Sequence, residues 1–406
     1  MALTLVGNPE DPDLLSLPWS VPLEQWPTEH LVGLPRGLSR HVVRFVKVGS
    51  GVYAVKEIGT FSAHREYQLL RRLDRTNLPT VVPIGIVDGR EGPDGPLEPA
   101  LITRHLSFSL PYRALFSQTL RPETAVRLLD ALAVLLVRLH LADYFWGDCS
   151  LSNTLFRRDA GAFAAYLVDA ETMEHHDRLS EGRRLDDLRM ARLNVIGELM
   201  DLESGELLGA VDPIEVGDSI VERYTALWEA LTSSEVFAAG ERYRFDARVR
   251  HLNGLGFDVD ELEVTTGIDG DHVRVQPKVV DAGHHTRRLL RLTGLDVEEN
   301  QARRLLNDLD GYRARTERDE TEEVLAHAWL TEVFHPVLMA VPRELRAKLD
   351  GPETFHEVLV HRWYLSETAG CDVGLDVATS SYVDGVLRHR PDEQALLLGL
   401  DQEPLA

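Results

Sequence analysis

The chain has 406 residues, a formal net charge of −23, and hydrophobic and charged fractions of 44% and 27% that are ordinary for a folded protein. That length holds two or three domains, and the acidity argues against a protein that coats nucleic acid or anionic lipid, while leaving room for a local cationic pocket. Two cysteines, Cys149 and Cys371, offer neither a disulfide framework nor the spacing of a metal knuckle.

The start, "MALTLVGNPEDPDLL", lacks the basic flank and apolar run of a signal peptide. Residues 1 to about 30 are rich in Pro, Asp and Glu and read as an extended arm. Two alternating strands follow in "RHVVRFVKVGSGVYAVKEIG", joined by a turn at Gly49–Ser50–Gly51. The next segment, "SAHREYQLLRRLD", predicts a helix with Ser62 as its N-cap. Two more strand-like runs flank a Gly/Pro/Asp-rich loop up to about residue 105. "RPETAVRLLDALAVLLVRLHLADY" is the strongest helix, with Pro122 in the first turn and leucines at helical spacing from Leu128 to Leu139. It carries the most apolar window of the chain, which holds Asp130 and Arg138 and is too short to span a bilayer, so a cytoplasmic location without a transmembrane segment is the expectation.

After that helix come the loop "WGDCSLSN", a short strand "NTLF", a turn "RRDAGA", a second strand "FAAYLVD" and a helix over residues 181–202. Beyond about residue 235 the pattern changes: a hairpin around Gly267–Asp271, then amphipathic helices broken by glycine and proline. The expected organisation is an α+β chain with a β-rich lobe at 30–105, a helical lobe at 106–235, and a mainly helical domain with a β-hairpin at 236–406.

Chemistry concentrates in the first two of these. Lysine is rare, at Lys47, Lys56, Lys278 and Lys348 alone. In "VYAVKEI" alternation puts Lys56 on the same face as Val52 and Ala54, and Glu66 falls on the apolar stripe of Leu69, Leu70 and Leu73. A strand-end lysine commonly snorkels to solvent, but a carboxylate on an apolar stripe needs a partner. A Lys56–Glu66 pair answers both anomalies, and such a pair can hold a lysine against nucleotide phosphates. In the loop and the strands after it, Asp148 offers a carboxylate to a substrate hydroxyl, while Asn153 and Asp169 offer oxygens to a hard cation. Hairpin geometry brings Asn153 and Asp169 close.

"WGDCSLSN" resembles the kinase catalytic loop H-R-D-x-x-x-x-N in its H-G-D form, and with "AVK" before it and "LVDAE" after it the order is similar to that of the protein-kinase-like superfamily. The resemblance covers about residues 30–230 and looks closest to the Kdo/WaaP lipopolysaccharide kinase branch. The whole chain also resembles an uncharacterised actinobacterial family in which a kinase-like region precedes a C-terminal domain of unknown function. The resemblance implies a bilobal protein-kinase-like fold and ATP and Mg²⁺ as cofactors. Lys56 would then meet the nucleotide phosphates, Glu66 would hold Lys56, Asp148 would act as catalytic base or positioning group, and Asn153 and Asp169 would bind the metal. It departs from the family pattern at Trp146, where histidine is usual, and at Glu171, where the D-F-G glycine is absent; Glu171 either adds a carboxylate near the metal or caps the next turn. No A-P-E signature follows.

Gly37, Ser39 and Arg40 stand where a phosphate-covering loop belongs, although G-x-G-x-x-G is missing and an ordinary strand lead-in reads equally well. Asp186 or Asp187 is a candidate anchor for the loop backbone, with a solvated helix face as the alternative. Cys149 lies beside Asp148 without a catalytic Cys/His signature. "GHHTRRLLRL" reads as a basic helix face or an anion patch, and Trp363 and Tyr364 as core residues. The leading reading is an ATP- and Mg²⁺-dependent phosphotransferase acting on a hydroxyl of an unidentified small-molecule or protein acceptor. Its rivals are a pseudokinase or nucleotide-binding scaffold and an AMP-transferring enzyme on the same fold; the C-terminal helices are a candidate surface for a protein partner.

Overall fold

A computed structural model of the protein describes residues 3–7, 11–33, 41–49, 51–116, 120–233, 235–238, 244, 247, 257–266, 272–316 and 320–390. Internal contacts divide the chain into two units, one of residues 1–157, 165–224 and 396–406, the other of residues 158–164 and 225–395. The architecture is α+β, with a β-rich N-terminal part followed by mainly helical chain. Among the described residues no helix is long and apolar enough to cross a membrane.

The first unit opens with an antiparallel sheet in the order β1-β4-β7-β3-β2, built from β1 (Thr4–Gly7), β2 (Val43–Val48), β3 (Gly51–Glu57), β4 (Pro83–Asp88) and β7 (Ala100–Arg104). A two-strand ladder of β5 (Glu91–Gly92) and β6 (Gly95–Pro96) lies in the β4–β7 connection. One face of the sheet buries Val46, Val48, Tyr53, Val55 and Ile102 against Leu14, Leu17, Trp19, Leu23 and Trp26 of the N-terminal segment. The described residues 11–30 are therefore anchored in the core by these five side chains rather than standing out as an arm. Their three short 3-10 turns have no helical or strand period, so the five apolar anchors do not form a readable pattern. Trp19 and Trp26 meet edge to face at 5.2 Å, and each indole N–H donates to a backbone carbonyl, of Leu14 and Val21.

Helix α1 (Thr60–Arg75) starts one turn earlier than expected from Ser62. Gly59 is the N-cap residue and supplies the carbonyl that Ala63 N donates to, leaving Ser62 inside the first turn. Its buried stripe is Ala63, Glu66, Tyr67, Leu70 and Leu73. After β8 (Leu110–Pro111) and the one-turn α2 (Tyr112–Leu115), helix α3 (Pro122–Leu141) buries Leu128, Leu129, Leu132, Leu135, Leu136 and Leu139, as its spacing predicts. It delivers the chain to β9 (Tyr144–Phe145), the loop 146–153, and the hairpin of β10 (Thr154–Asp159) and β11 (Ala162–Leu167). β12 (Glu174–His175) pairs with β9, and α4 (Glu181–Ser204) and α5 (Pro213–Thr232) follow. Ser180 caps α4 by accepting from Arg183 N.

In the second unit β13 (Glu235–Ala238), β15 (His272–Ala282) and β14 (Phe257–Thr266) form a sheet in that order, and the turn at Gly267–Asp271 lies outside the described residues. Helices α6 (His284–Thr293), α7 (Glu299–Thr316), α8 (Glu322–Trp329), α9 (His335–Ala340), α10 (Gly351–Ala369) and α11 (Leu375–Gly385) surround a core of Trp329, Phe334, Phe355, Leu305 and Val358. A π turn, Leu330–Phe334, joins α8 to α9. Trp363 and Tyr364, expected in a core, are both 57% exposed. Tyr364 lies half a turn round α10 from the buried Phe355, and its ring meets that of Trp363 edge to face at 4.8 Å.

Candidate active site

The alternation of β3 decides the first element of the site. Tyr53 and Val55 point into the core shared with the N-terminal segment, which turns Lys56 to the opposite face. Its Nζ donates to Glu66 Oε2 at 3.0 Å and to Asp169 Oδ2 at 2.7 Å, so one ammonium serves two carboxylates. Glu66 is 1% exposed and Lys56 12%. Burial pushes the Glu66 carboxyl up to about 7 and the nearby charge of Asp169 adds to this, against the opposing pull of Lys56 and Ala170 N. Burial favours the neutral amine of Lys56, but the two carboxylates outweigh it and raise its pKa. Arg65, the neighbour of Glu66, fixes the far side of α1 by donating to the carbonyls of Glu171 and Met173 at 3.2 and 2.6 Å.

The loop 146–153 hangs from α4. Asp187 is fully buried and accepts Trp146 N at 2.6 Å and Gly147 N at 2.9 Å; its Oδ2 also lies 3.0 Å from His140 Nε2. His140 Nδ1 in turn sits 2.6 Å from the Tyr224 hydroxyl. Burial lowers the pKa of His140, which favours a neutral ring between a carboxylate and a phenol. Of the two candidate anchors Asp187 takes the role; Asp186 is exposed and pairs with Arg189. Gly147 sits at φ +78°, and a Cβ there would lie 2.9 Å from the Phe145 ring, so the sharp turn into Asp148 requires glycine.

Asp148 is held by two amides. Asn153 Nδ2 donates to its Oδ2 and Asn194 Nδ2 to its Oδ1, both at 3.1 Å. Glu198 closes the loop by accepting Leu151 N and Ser152 N at 2.7 and 3.0 Å. The hairpin behaves as expected: Val168 N donates to Asn153 O, which sets Asn153 and Asp169 side by side at its open end. Trp146, in place of the usual histidine, donates its indole N–H to Asp169 O at 3.2 Å and so ties the loop to the strand end. Asp148, Asn153, Asp169, Glu171, Asn194 and His41 all line one cavity of ≈ 380 Å³.

The structure thus gathers Lys56, Glu66 and Asp169 in one cluster and Asp148 and Asn153 beside it. Gly37, Ser39 and Arg40 lie outside the described residues. Glu171 does not cap the next turn; its carboxylate lies 2.9 Å from His41 Nε2. Cys149 is fully buried and its thiol is pushed well up by burial, the reverse of a reactive cysteine. Sequence reasoning missed Asn194, Glu198 and His41. A signal for the first two existed: Asp187, Asn194 and Glu198 stand at i, i+7 and i+11 and so share one stripe of α4.

Comparison with known proteins bears on this geometry. Residues 45–197 match the lipopolysaccharide kinase (Kdo/WaaP) family. That span contains Lys56, Glu66, Asp148, Asn153, Asp169, Asp187 and Asn194. Residues 226–387 match a second model, a domain of unknown function, DUF4032. The chain therefore combines a kinase-like region with that C-terminal domain. No curated protein matches the chain. Among solved structures, the chain is similar to one described as "WaaP in complex with acyl carrier protein", at 20% identity over 63% of this chain and 99% of that one, with a TM-score of 0.37.

Among the described residues no group of three or more His, Cys, Asp and Glu side chains is arranged to hold a metal. The donor set of the kinase-like region is smaller: one carboxylate, Asp169, and one carboxamide oxygen, Asn153 Oδ1, since Asn153 Nδ2 is spent on Asp148. Two protein oxygens suit Mg²⁺, which keeps several waters and takes its remaining ligands from substrate phosphates.

Proposed function

We propose that the kinase-like region is a phosphotransferase that moves the terminal phosphoryl group of ATP to a hydroxyl of an acceptor. The observation that carries this reading is the shared lysine. Lys56 faces two carboxylates, one buried and fixed, one at the cavity, so the cluster holds an excess of negative charge that a divalent cation at Asp169 would relieve. Such a cation neutralises charge on the phosphates and fixes their geometry. Lys56, anchored by Glu66, is the cation that would meet the nucleotide phosphates, and Asp169 would hold the metal. Asp148, aimed by Asn153 and Asn194, accepts the proton of the acceptor hydroxyl as its oxygen bonds to phosphorus and the bond to ADP breaks. Most of the rate enhancement on this reading is positioning and charge stabilisation.

Replacing Asp148 by Asn keeps one oxygen for the amide donors of Asn153 and Asn194 and removes the base, so turnover should fall by about 10²–10⁴ while ATP binding persists. The measurement is product formation from ATP labelled at the γ position, run beside ATP labelled at the α position. Transfer of the γ label supports the proposal; transfer of the α label assigns AMP transfer instead. A second reading, a nucleotide-binding pseudokinase, draws on Glu171, which holds His41 where a glycine would leave the backbone free. Thermal melts with ATP and Mg²⁺ against ATP and EDTA separate them: without metal-dependent stabilisation the catalytic reading is lost.

A further inference from the structure

A second cavity, of ≈ 980 Å³, opens on the other side of α1, away from Lys56, and is lined by Arg65, Arg71, Arg72, Arg75, His175 and His176. At 100° per residue, positions 65, 72 and 75 share one side of the helix, with 71 at its border. Arg65 is occupied by the carbonyls of Glu171 and Met173. Arg71 rests its guanidinium 5.6 Å from the Tyr67 ring, an arrangement that leaves the fork edges free. Neither Arg71, Arg72 nor Arg75 makes an ion pair among the described residues. The carboxylate on the opposite wall, Glu174, is taken by Arg183 at 2.5 Å. A chain of net charge −23 thus keeps three exposed, unpaired guanidinium groups within five consecutive residues, on the wall of a concavity.

We propose that this cavity binds a small molecule carrying two or more phosphate groups. Its volume lies in the range of small-ligand sites rather than of flat protein interfaces. Each guanidinium offers a planar fork that matches phosphate oxygens, and Arg71 to Arg75 spread these forks over about 6 Å of helix axis, more than one phosphate covers. The overall acidity repels monovalent anions at long range, so occupancy depends on several short-range contacts at once. The ligand would bridge α1 to residues 173–176. Because α1 also carries Glu66, occupancy would bias the lysine cluster, a consequence that rests on the function proposed above, whereas the binding itself does not.

The test is calorimetric titration of the full chain with inorganic tripolyphosphate in EDTA, which removes divalent metal from the other cavity. One site is expected, weakening as salt rises, with Kd at least about tenfold weaker in the R71Q/R72Q/R75Q variant and unchanged in D148N. Melting of the ligand-free variant should match the parent, because the three side chains are exposed; if it does not, R75Q alone, at the last turn of the helix, should still weaken binding. Equal affinity in parent and variant overturns the proposal. So does poly-glutamate that binds as tightly and displaces tripolyphosphate, which would assign the surface to an acidic protein.

Discussion

Two regions of this molecule bury carboxylates, and they answer the cost in different ways. In the first unit Glu66 is met by an ammonium that it shares with Asp169. In the second, Asp159 is buried and, among the described residues, hydrogen-bonded by neutral donors, Gln301 N and Asn300 Nδ2, each at 2.8 Å. Beside it Glu353 accepts Ala160 N and Gln301 Nε2. Burial pushes both Glu66 and Asp159 up to about 7, with Glu298 adding to it at Asp159. A shifted pKa alone does not separate a working site from a structural knot. The difference lies in the counter-charge: Lys56 is shared with Asp169, which lines a cavity, whereas Asp159 is held by amides that carry no charge.

The contrast breaks most visibly at Lys56. Lys56→Met leaves Glu66 buried without its cation, and removing one partner of a buried pair costs about 3–5 kcal/mol when the other stays charged. Glu66 escapes by keeping its proton, so the loss should be small near about pH 5 and grow as pH rises above about 7, the folded-state value in the parent, which removal of Lys56 raises further. Chemical denaturation of the full chain at several pH values measures this. A loss that is independent of pH would mean that the ammonium is not what neutralises Glu66.

At Asp159 the pH linkage has the same sign, but the substitution gains stability instead of losing it. With its folded pKa near 7 and its unfolded pKa at the ordinary 3.8, the native state holds a proton the unfolded chain has released, so stability falls as pH rises across that window. Asp159→Asn keeps an oxygen for Gln301 N and removes this dependence. Relative to the parent the variant should gain about 2 kcal/mol between about pH 5 and about pH 8, read from the same denaturation series. His105, whose burial lowers it to about 4, contributes the opposite slope below about pH 6 in both proteins and cancels in the difference.

What could be read in the sequence was what local period controls. Alternation in β3 placed Lys56, the stripe of α1 placed Glu66, and the leucine spacing of α3 led to Asp148. The N-terminal segment escaped because 3-10 turns between prolines carry no period. Asp159 was legible as part of a turn, and the backbone agrees, with Ala160 and Gly161 at positive φ. Its burial was not, since its partners Asn300, Gln301 and Glu353 stand more than 140 residues further along the chain. Asn194 and Glu198 share a stripe of α4 with Asp187, but what that stripe holds becomes legible only once the loop is in place.

The smallest effect probes why Asp159 is shifted at all. Glu353 repels its charge, but burial comes first and Glu298 second, while Gln301 and Asn300 oppose them. Glu353→Gln removes the repulsion and keeps an oxygen for Ala160 N. Asp159 should then titrate lower, yet still above an ordinary carboxyl, because burial and Glu298 remain. The downturn of stability should move to lower pH by an amount worth less than about 1 kcal/mol. NMR titration of the Asp159 carboxyl in the full chain, parent against variant, reads the shift directly. If Glu353→Gln returned Asp159 to ordinary titration, mutual repulsion rather than burial would be the cause.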